Sequence, residues 1–72
     1  MENQIHKYRI PIGQKIREIR EKKGISQEQL AEKMQISRST ISKIESGKFN
    51  CSIDYLSRFA IHLSFEIKIV EI

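Results

Sequence analysis

The chain has few of the residues on which disulfide-stabilised folds, metal sites and membrane spans depend. Its 72 residues include one cysteine, one proline, three glycines and no tryptophan. A single cysteine cannot form an internal disulfide, and the two histidines stand apart, so we expect no metal and no cofactor. No apolar run approaches about 18 residues, so no membrane span is expected.

The length and composition favour one small globular domain. With 39% hydrophobic and 31% charged residues, the chain is typical of folded rather than disordered proteins. The core of so short a chain is marginal, and oligomerisation is a common remedy. The start, MENQIHKYRI, has no signal-peptide segment, so we expect a cytoplasmic protein. No plausible nucleophile–base pair is present, so we do not expect an enzyme.

Positive charge is concentrated in the first two thirds of the chain. Residues 1–48 hold 11 Lys/Arg against 6 Asp/Glu, a net +5, whereas residues 49–72 hold 2 against 3, a net −1. A basic surface suits a polyanion, and nucleic acid is the usual one. A basic face that is simply exposed to solvent, with no ligand, would explain this charge distribution equally well.

Apolar spacing and capping residues predict four helices within residues 11–63. The first runs from about residue 12 to residue 23, with Pro11 in its first turn. The other three begin after Ser26, Ser37 and Ser52, which suit N-cap positions. The residues predicted to face the core are Ile12, Ile16, Ile19, Leu30, Ala31, Met34, Ile41, Ile44, Leu56, Phe59, Ala60 and Leu63.

The two ends of the chain are predicted to differ from this helical part. Residues 1–10 alternate loosely and suit an arm or a short strand. Residues 64–72, SFEIKIVEI, alternate apolar and charged residues with β-branched enrichment, which predicts a strand. A lone strand is unstable in water, so it needs the residue 1–10 arm, a second copy or another protein as a partner.

The stretch SQEQLAEKMQISRSTISKIES, residues 26–46, predicts two short helices joined by a tight turn. One side of the second helix is apolar, and its other side is polar and basic. Such a helix fits the major groove of DNA, where Arg pairs well with guanine. Gln27, at the start of the first helix of this pair, is placed to reach a phosphate. The residues expected to contact bases are Arg38, Ser39, Thr40, Ser42 and Lys43.

Three stretches, IREIREKKGISQEQLAEKM, ISRSTISKIESGK and SIDYLSRFAIHL, together resemble the lambda-repressor-like, or Cro/C1-type (XRE), helix-turn-helix regulators. The resemblance covers roughly residues 12–63. It implies an all-α, compact four-helix domain, dimeric binding to palindromic operators and transcriptional control. It also assigns phosphate contacts to Gln27, Ser46, Gly47 and Lys48, and an ion pair between the first and third helices to Arg20 and Glu45.

The sequence departs from this family at two places. The turn between the second and third helices usually carries glycine because its backbone is left-handed, but this chain has Gln35. Many relatives also have a fifth helix, where this chain has LSFEIKIVEI. A terminal strand resembles the HipB-type antitoxin regulators, whose strands pair across the dimer two-fold axis. That likeness predicts a short C-terminal β-strand with Phe65, Ile67 and Ile69 facing the helices and supporting dimerisation.

Two functions follow from these patterns. The first is a sequence-specific DNA-binding repressor or autoregulator that acts as a homodimer on a palindromic operator. The alternative is an antitoxin whose main role is to bind and neutralise a cognate toxin protein. The operator sequence does not follow from the residues.

Overall fold

The computed structural model describes residues 6–72, and it contains four α-helices around one core. These are α1 (Arg9–Lys22), α2 (Gln27–Met34), α3 (Arg38–Glu45) and α4 (Ile53–Leu63). The predicted four-helix, all-α architecture is confirmed. No helix in this part of the chain is long and apolar enough to cross a membrane.

Helix α1 begins three residues earlier than the sequence predicted. Its first turn includes Ile10 and Pro11, and the backbone N–H of Ile12 donates to the carbonyl of Tyr8 at 3.1 Å. Proline is tolerated here because the N–H groups of a first turn have no partner within the helix. The prediction of an arm or strand over residues 1–10 is therefore wrong at residues 9–10, and residues 1–5 lie outside the described part.

Serine side chains start the other three helices, as predicted. Ser26 and Gln29 form a reciprocal capping box, with Gln29 N to Ser26 Oγ at 3.1 Å and Ser26 N to Gln29 Oε1 at 2.9 Å. Ser37 Oγ accepts a hydrogen bond from the backbone N–H of Thr40, and Ser52 Oγ accepts one from the backbone N–H of Tyr55, each at 3.1 Å. Each cap satisfies an N–H group that the helix itself leaves unpaired.

The core is made by one apolar stripe from each helix. The stripes converge because the apolar residues recur every three or four positions, on the same side of each helix. All eight buried apolar residues belong to the predicted core set, whereas Ile12, Ile19 and Leu56 are only partly buried at its edge. The eight are Ile16, Leu30, Ala31, Met34, Ile41, Ile44, Phe59 and Leu63.

Gly13 allows α1 and α3 to cross in backbone contact. A Cβ atom at this position would lie 2.2 Å from the carbonyl oxygen of Ile44 and 2.8 Å from that of Glu45. Both are backbone atoms, so neither can rotate away from an added methyl group. No sequence pattern predicts a role for Gly13, yet this glycine determines how closely the first helix approaches the third.

The turn between α2 and α3 has the left-handed backbone predicted for it. Gln35 has φ 55° and ψ 45°, and the N–H of Ile36 donates to the carbonyl of Ala31 at 3.0 Å. Side chains other than glycine adopt this region at a cost of about 1–2 kcal/mol. Arg58 of α4 donates to the carbonyl of Met34, which ties the fourth helix to this turn.

We expect Gln35→Gly to raise the free energy of unfolding by about 1 kcal/mol, because glycine relieves the left-handed strain but loses more backbone entropy on folding. Urea denaturation measures this change. The control is Gln14→Gly on the exposed side of α1, where the same replacement should lower stability by about 1 kcal/mol. An unchanged or lower urea midpoint for Gln35→Gly would contradict backbone strain at Gln35.

The predicted strand over residues 64–72 is not formed within this single chain. Ser64, at φ 58°, ends α4 with a left-handed turn, and no strand occurs between residues 6 and 72. A strand needs a neighbouring backbone for its hydrogen bonds, and residues 9–10, part of the expected intrachain partner, belong to α1 instead. Of the three residues predicted to face the helices, Phe65 packs against the core, Ile67 is 41% exposed and Ile69 is 99% exposed.

Candidate nucleic-acid interface

The centre of the candidate site is the pair of eight-residue helices α2 and α3. Helix α3 is amphipathic, and it buries Ile41, Ile44 and Glu45 against the other helices. Its opposite side is open to solvent, since nothing in the described residues packs over it. The exposed residues on that side are Arg38, Ser39, Ser42 and Lys43.

Thr40 differs from the other residues expected to contact bases. It is only half exposed, and its hydroxyl lies 2.8 Å from the hydroxyl of Ser37, whose oxygen also caps the backbone N–H of Thr40. The hydroxyl therefore already takes part in the start of α3.

Arg20 and Glu45 form a two-bond ion pair between α1 and α3. Arg20 Nε donates to Glu45 Oε2 at 2.6 Å, and Nη2 donates to Oε1 at 3.0 Å. A third donor, Nη1, reaches the carbonyl of Ile25 at 2.7 Å. The hydrogen bonds to Glu45 raise the pKa of Arg20 above its ordinary value. The two residues are 7% and 6% exposed, so the ion pair between Arg20 and Glu45 is buried.

Gln27 is attached to the same ion pair. Its side-chain Nε2 donates to Glu45 Oε1 at 3.0 Å, a contact between residues 18 positions apart that no local sequence pattern predicts. An amide nitrogen carries two hydrogens, so this bond uses one of them. Gln27, Ser26 and Glu28 line a shallow hollow together with Arg20 and Arg38. The residue predicted to contact a phosphate thus lies beside the first residue predicted to contact a base.

The loop after α3 brings together the other residues to which the resemblance assigns phosphate contacts. The Ser46 hydroxyl donates to the carbonyls of Ser42 and Lys43, at 2.9 and 3.1 Å, so its hydrogen is engaged at the helix end. Gly47 has φ 76° and lies against Ile10, whose side chain would be 2.7 Å from an added Cβ atom. Lys48 is exposed. Its ammonium group is therefore available to a ligand.

The charge of this region is one-sided. Between residues 33 and 53 the chain has four cations, at Lys33, Arg38, Lys43 and Lys48, and a single acid, Glu45. That acid is buried and paired with Arg20, so no carboxylate of this stretch faces solvent. Such a stretch attracts anions over several ångströms, while Glu28 of α2, which lines the hollow beside Arg38, is an exposed carboxylate at its edge.

No cluster of three or more potential metal-binding side chains occurs in residues 6–72. Cys51 is half-buried against the core, and burial raises the pKa of its thiol. A raised thiol pKa lowers the fraction of reactive thiolate, which favours a packing role for this residue.

The fold and this surface together define a small helix-turn-helix domain. Residues 16–68 match the sequence model of a family described as helix-turn-helix. The match covers most of the chain, so the chain belongs to this Cro/C1-type helix-turn-helix family.

Similar proteins are found among both sequences and solved structures. The immunity repressor protein of Bacillus phage phi105 is 36% identical over 59 residues, which cover 82% of this chain and 41% of the repressor. An uncharacterized HTH-type transcriptional regulator of Archaeoglobus fulgidus is 49% identical over 39 residues, covering 54% of this chain and 56% of that protein. This chain therefore spans about half the length of the curated relatives it matches.

The structural likeness extends over nearly all of both molecules. The crystal structure of the restriction-modification controller protein C.AhdI from Aeromonas hydrophila superposes with a TM-score of 0.79 at 34% sequence identity. The match covers 85% of this chain and 88% of that chain. The match therefore includes the whole four-helix bundle and not only the pair α2 and α3.

Proposed function

We propose that this chain is a sequence-specific DNA-binding transcriptional regulator, with α3 as the helix that enters the major groove. The observation that carries the proposal is the outward side of α3, where Arg38, Ser39, Ser42 and Lys43 are exposed and uncovered. The relatives named as a repressor, a regulator and a controller support the same class of function.

The groove contacts divide into two kinds. Arg38 has the geometry for two hydrogen bonds to guanine O6 and N7, whereas Ser39, Ser42 and Lys43 suit either bases or phosphates. Gln27 and Lys48 suit phosphates. Because Glu45 accepts a bond from Gln27, the amide of Gln27 has a fixed direction before DNA arrives. A fixed side chain loses less entropy on binding than a mobile one.

The domain acts on DNA as a homodimer in this proposal. One α3 covers only half of a site, and two copies related by a two-fold axis bind two half-sites about 34 Å apart. The exposed apolar residues of the segment 65–72 suit a contact with a second copy, since Ile69 and Val70 are 99% and 82% exposed in one chain. Paired strands from this segment are the device that we propose for dimerisation.

The antitoxin alternative stays a prediction. Its basis is the likeness of the last residues to HipB-type regulators, and none of the three relatives described above is named as an antitoxin. The exposed apolar segment suits a second copy and a different protein equally well on composition alone. We therefore retain DNA-dependent regulation as the main function.

Selection of bound duplexes from a random DNA pool tests the function directly. We expect enrichment of a palindrome whose half-site centres lie about 34 Å, one helical turn, apart. Binding to it should weaken steeply between low and physiological salt, because cations such as Lys43 and Lys48 displace counterions from phosphates. Failure to enrich any sequence, with a folded chain, would contradict sequence-specific binding.

A further inference from the structure

The segment 65–72 lies partly on the bundle and partly free of it. Residues Phe65 to Lys68 line a groove with Ile12, Ile16 and Ile19 of α1 and with Leu56 of α4. Beyond Lys68 the apolar side chains lose this cover, and Ile69 is 99% exposed. A non-helical segment with one half-covered apolar side has backbone groups free to pair with a second strand along its open edge.

We propose that Glu66 and Lys68 fix the register in which this segment pairs with the same segment of a second copy, with the two-fold axis passing beside Ile67. The inference rests on the proposed homodimer and adds the contacts that select its geometry. It assigns a role to two charged residues that the DNA-binding surface does not use.

Symmetry limits the registers available to such a pair. In an antiparallel pair, residues directly opposite each other point to the same side of the ribbon. A two-fold axis perpendicular to the ribbon also keeps every side chain on its own side. Neighbouring residues in a strand point to opposite sides, so the residue at the axis must lie opposite its own copy.

Only one of these registers matches charges and apolar residues together. With Ile67 at the axis, Glu66 lies opposite Lys68 of the second copy, and Phe65 lies opposite Ile69 of the second copy. With Glu66 or Lys68 at the axis, a charge lies opposite its own copy. With Ile69 at the axis, Glu66, Lys68 and Glu71 all lie opposite apolar residues.

The Ile67 register also accounts for the uneven burial along the segment. Phe65 packs against the core, whereas Ile69 has no cover in one chain. The register brings Ile69 beside Phe65 of the second copy, at the rim of that copy's groove. Each chain thus covers the apolar residue that the other leaves exposed.

Charge reversal in the full chain tests the register through the dimer dissociation constant, measured by sedimentation without DNA. We expect Glu66→Lys and Lys68→Glu each to raise that constant about 10-fold or more, because each puts like charges opposite at two symmetric positions. The double variant should return to within about 3-fold of the original. The control is Glu71→Lys. Residue 71 lies outside the paired residues, so this charge reversal should leave the dimer dissociation constant unchanged.

Cysteine cross-linking supplies a second readout, in a Cys51→Ser background. Ile67→Cys should form a disulfide between copies under mild oxidation. Ile69→Cys should not, because the two copies of residue 69 are separated by about 13 Å along the ribbon, beyond disulfide reach. Equal cross-linking at the two positions would overturn the register, as would a double charge variant as weak as the single ones.

The results that would overturn the register can be distinguished from those that would overturn the DNA-binding proposal. A chain that stays monomeric at high micromolar concentration but still enriches a DNA half-site would overturn the register and leave DNA recognition in place. A chain that dimerises and cross-links through Ile67→Cys but enriches no DNA sequence would support the register and overturn the proposed function.

Discussion

Replacing Gly13 with alanine should lower the free energy of unfolding by about 3 kcal/mol or more, a large share of the stability of so small a domain. The added Cβ atom would lie 2.2 Å from the carbonyl oxygen of Ile44, and that atom belongs to the backbone of α3. The two helices would have to separate, which opens the core around Ile16 and Ile41. Alanine's better helix propensity offsets only about 1 kcal/mol of this loss.

Urea denaturation followed by circular dichroism measures the change. The matched control is Gly24→Ala, since Gly24 has φ 70° but no atom within 4 Å of an added Cβ. We expect that control to lose only about 1–2 kcal/mol, from left-handed strain alone. If Gly13→Ala costs no more than Gly24→Ala, the close crossing of α1 and α3 is not a requirement of the fold.

Removing the carboxylate of Glu45 is the second change with a large expected effect. Glu45→Ala leaves the guanidinium of Arg20 buried with only the carbonyl of Ile25 as a partner. Breaking one side of a buried ion pair costs about 3–5 kcal/mol, because an unpaired charge remains out of water. The same change frees the amide of Gln27 from its hydrogen bond.

The control for this variant is Glu21→Ala, which breaks the exposed pair with Arg17 on α1. An exposed pair of this spacing contributes about 0.3–0.5 kcal/mol, so the control should unfold close to the original midpoint. A double variant, Arg20→Met with Glu45→Leu, should recover much of the lost stability, since no charge is then buried alone. Equal midpoints for Glu45→Ala and Glu21→Ala would refute a buried pair.

Local features of this chain were predictable from sequence, and contacts between distant residues largely were not. Ser26, Ser37 and Ser52 act as caps, as predicted, because a cap depends on residues only a few positions away. The core followed from helical periodicity for the same reason. The left-handed turn at Gln35 came from the family resemblance, since glutamine itself gives no signal for it.

Gly13 and the bond from Gln27 to Glu45 were missed because both depend on how separate helices meet. A glycine within a helix is a weak signal of close packing, and only the crossing with α3 explains it. The strand at 64–72 was predicted from a pattern of alternation that is present, but a strand also needs a partner backbone. One chain does not provide that partner among its described residues.

The central claim is that α3 recognises DNA bases through its outward side, and Arg38 tests it most directly. Arg38→Ala should be compared with the original chain on the selected duplex and on duplexes with single base-pair changes, at fixed salt. The charge-matched control is Lys22→Ala, since Lys22 is exposed in the last turn of α1 and lines neither the hollow beside Arg38 nor the groove beside Phe65. We predict that Arg38→Ala loses about 1–3 kcal/mol of binding free energy and its discrimination at one base pair, whereas Lys22→Ala keeps both. Equal affinity and equal discrimination for the Arg38→Ala and original chains would contradict the account.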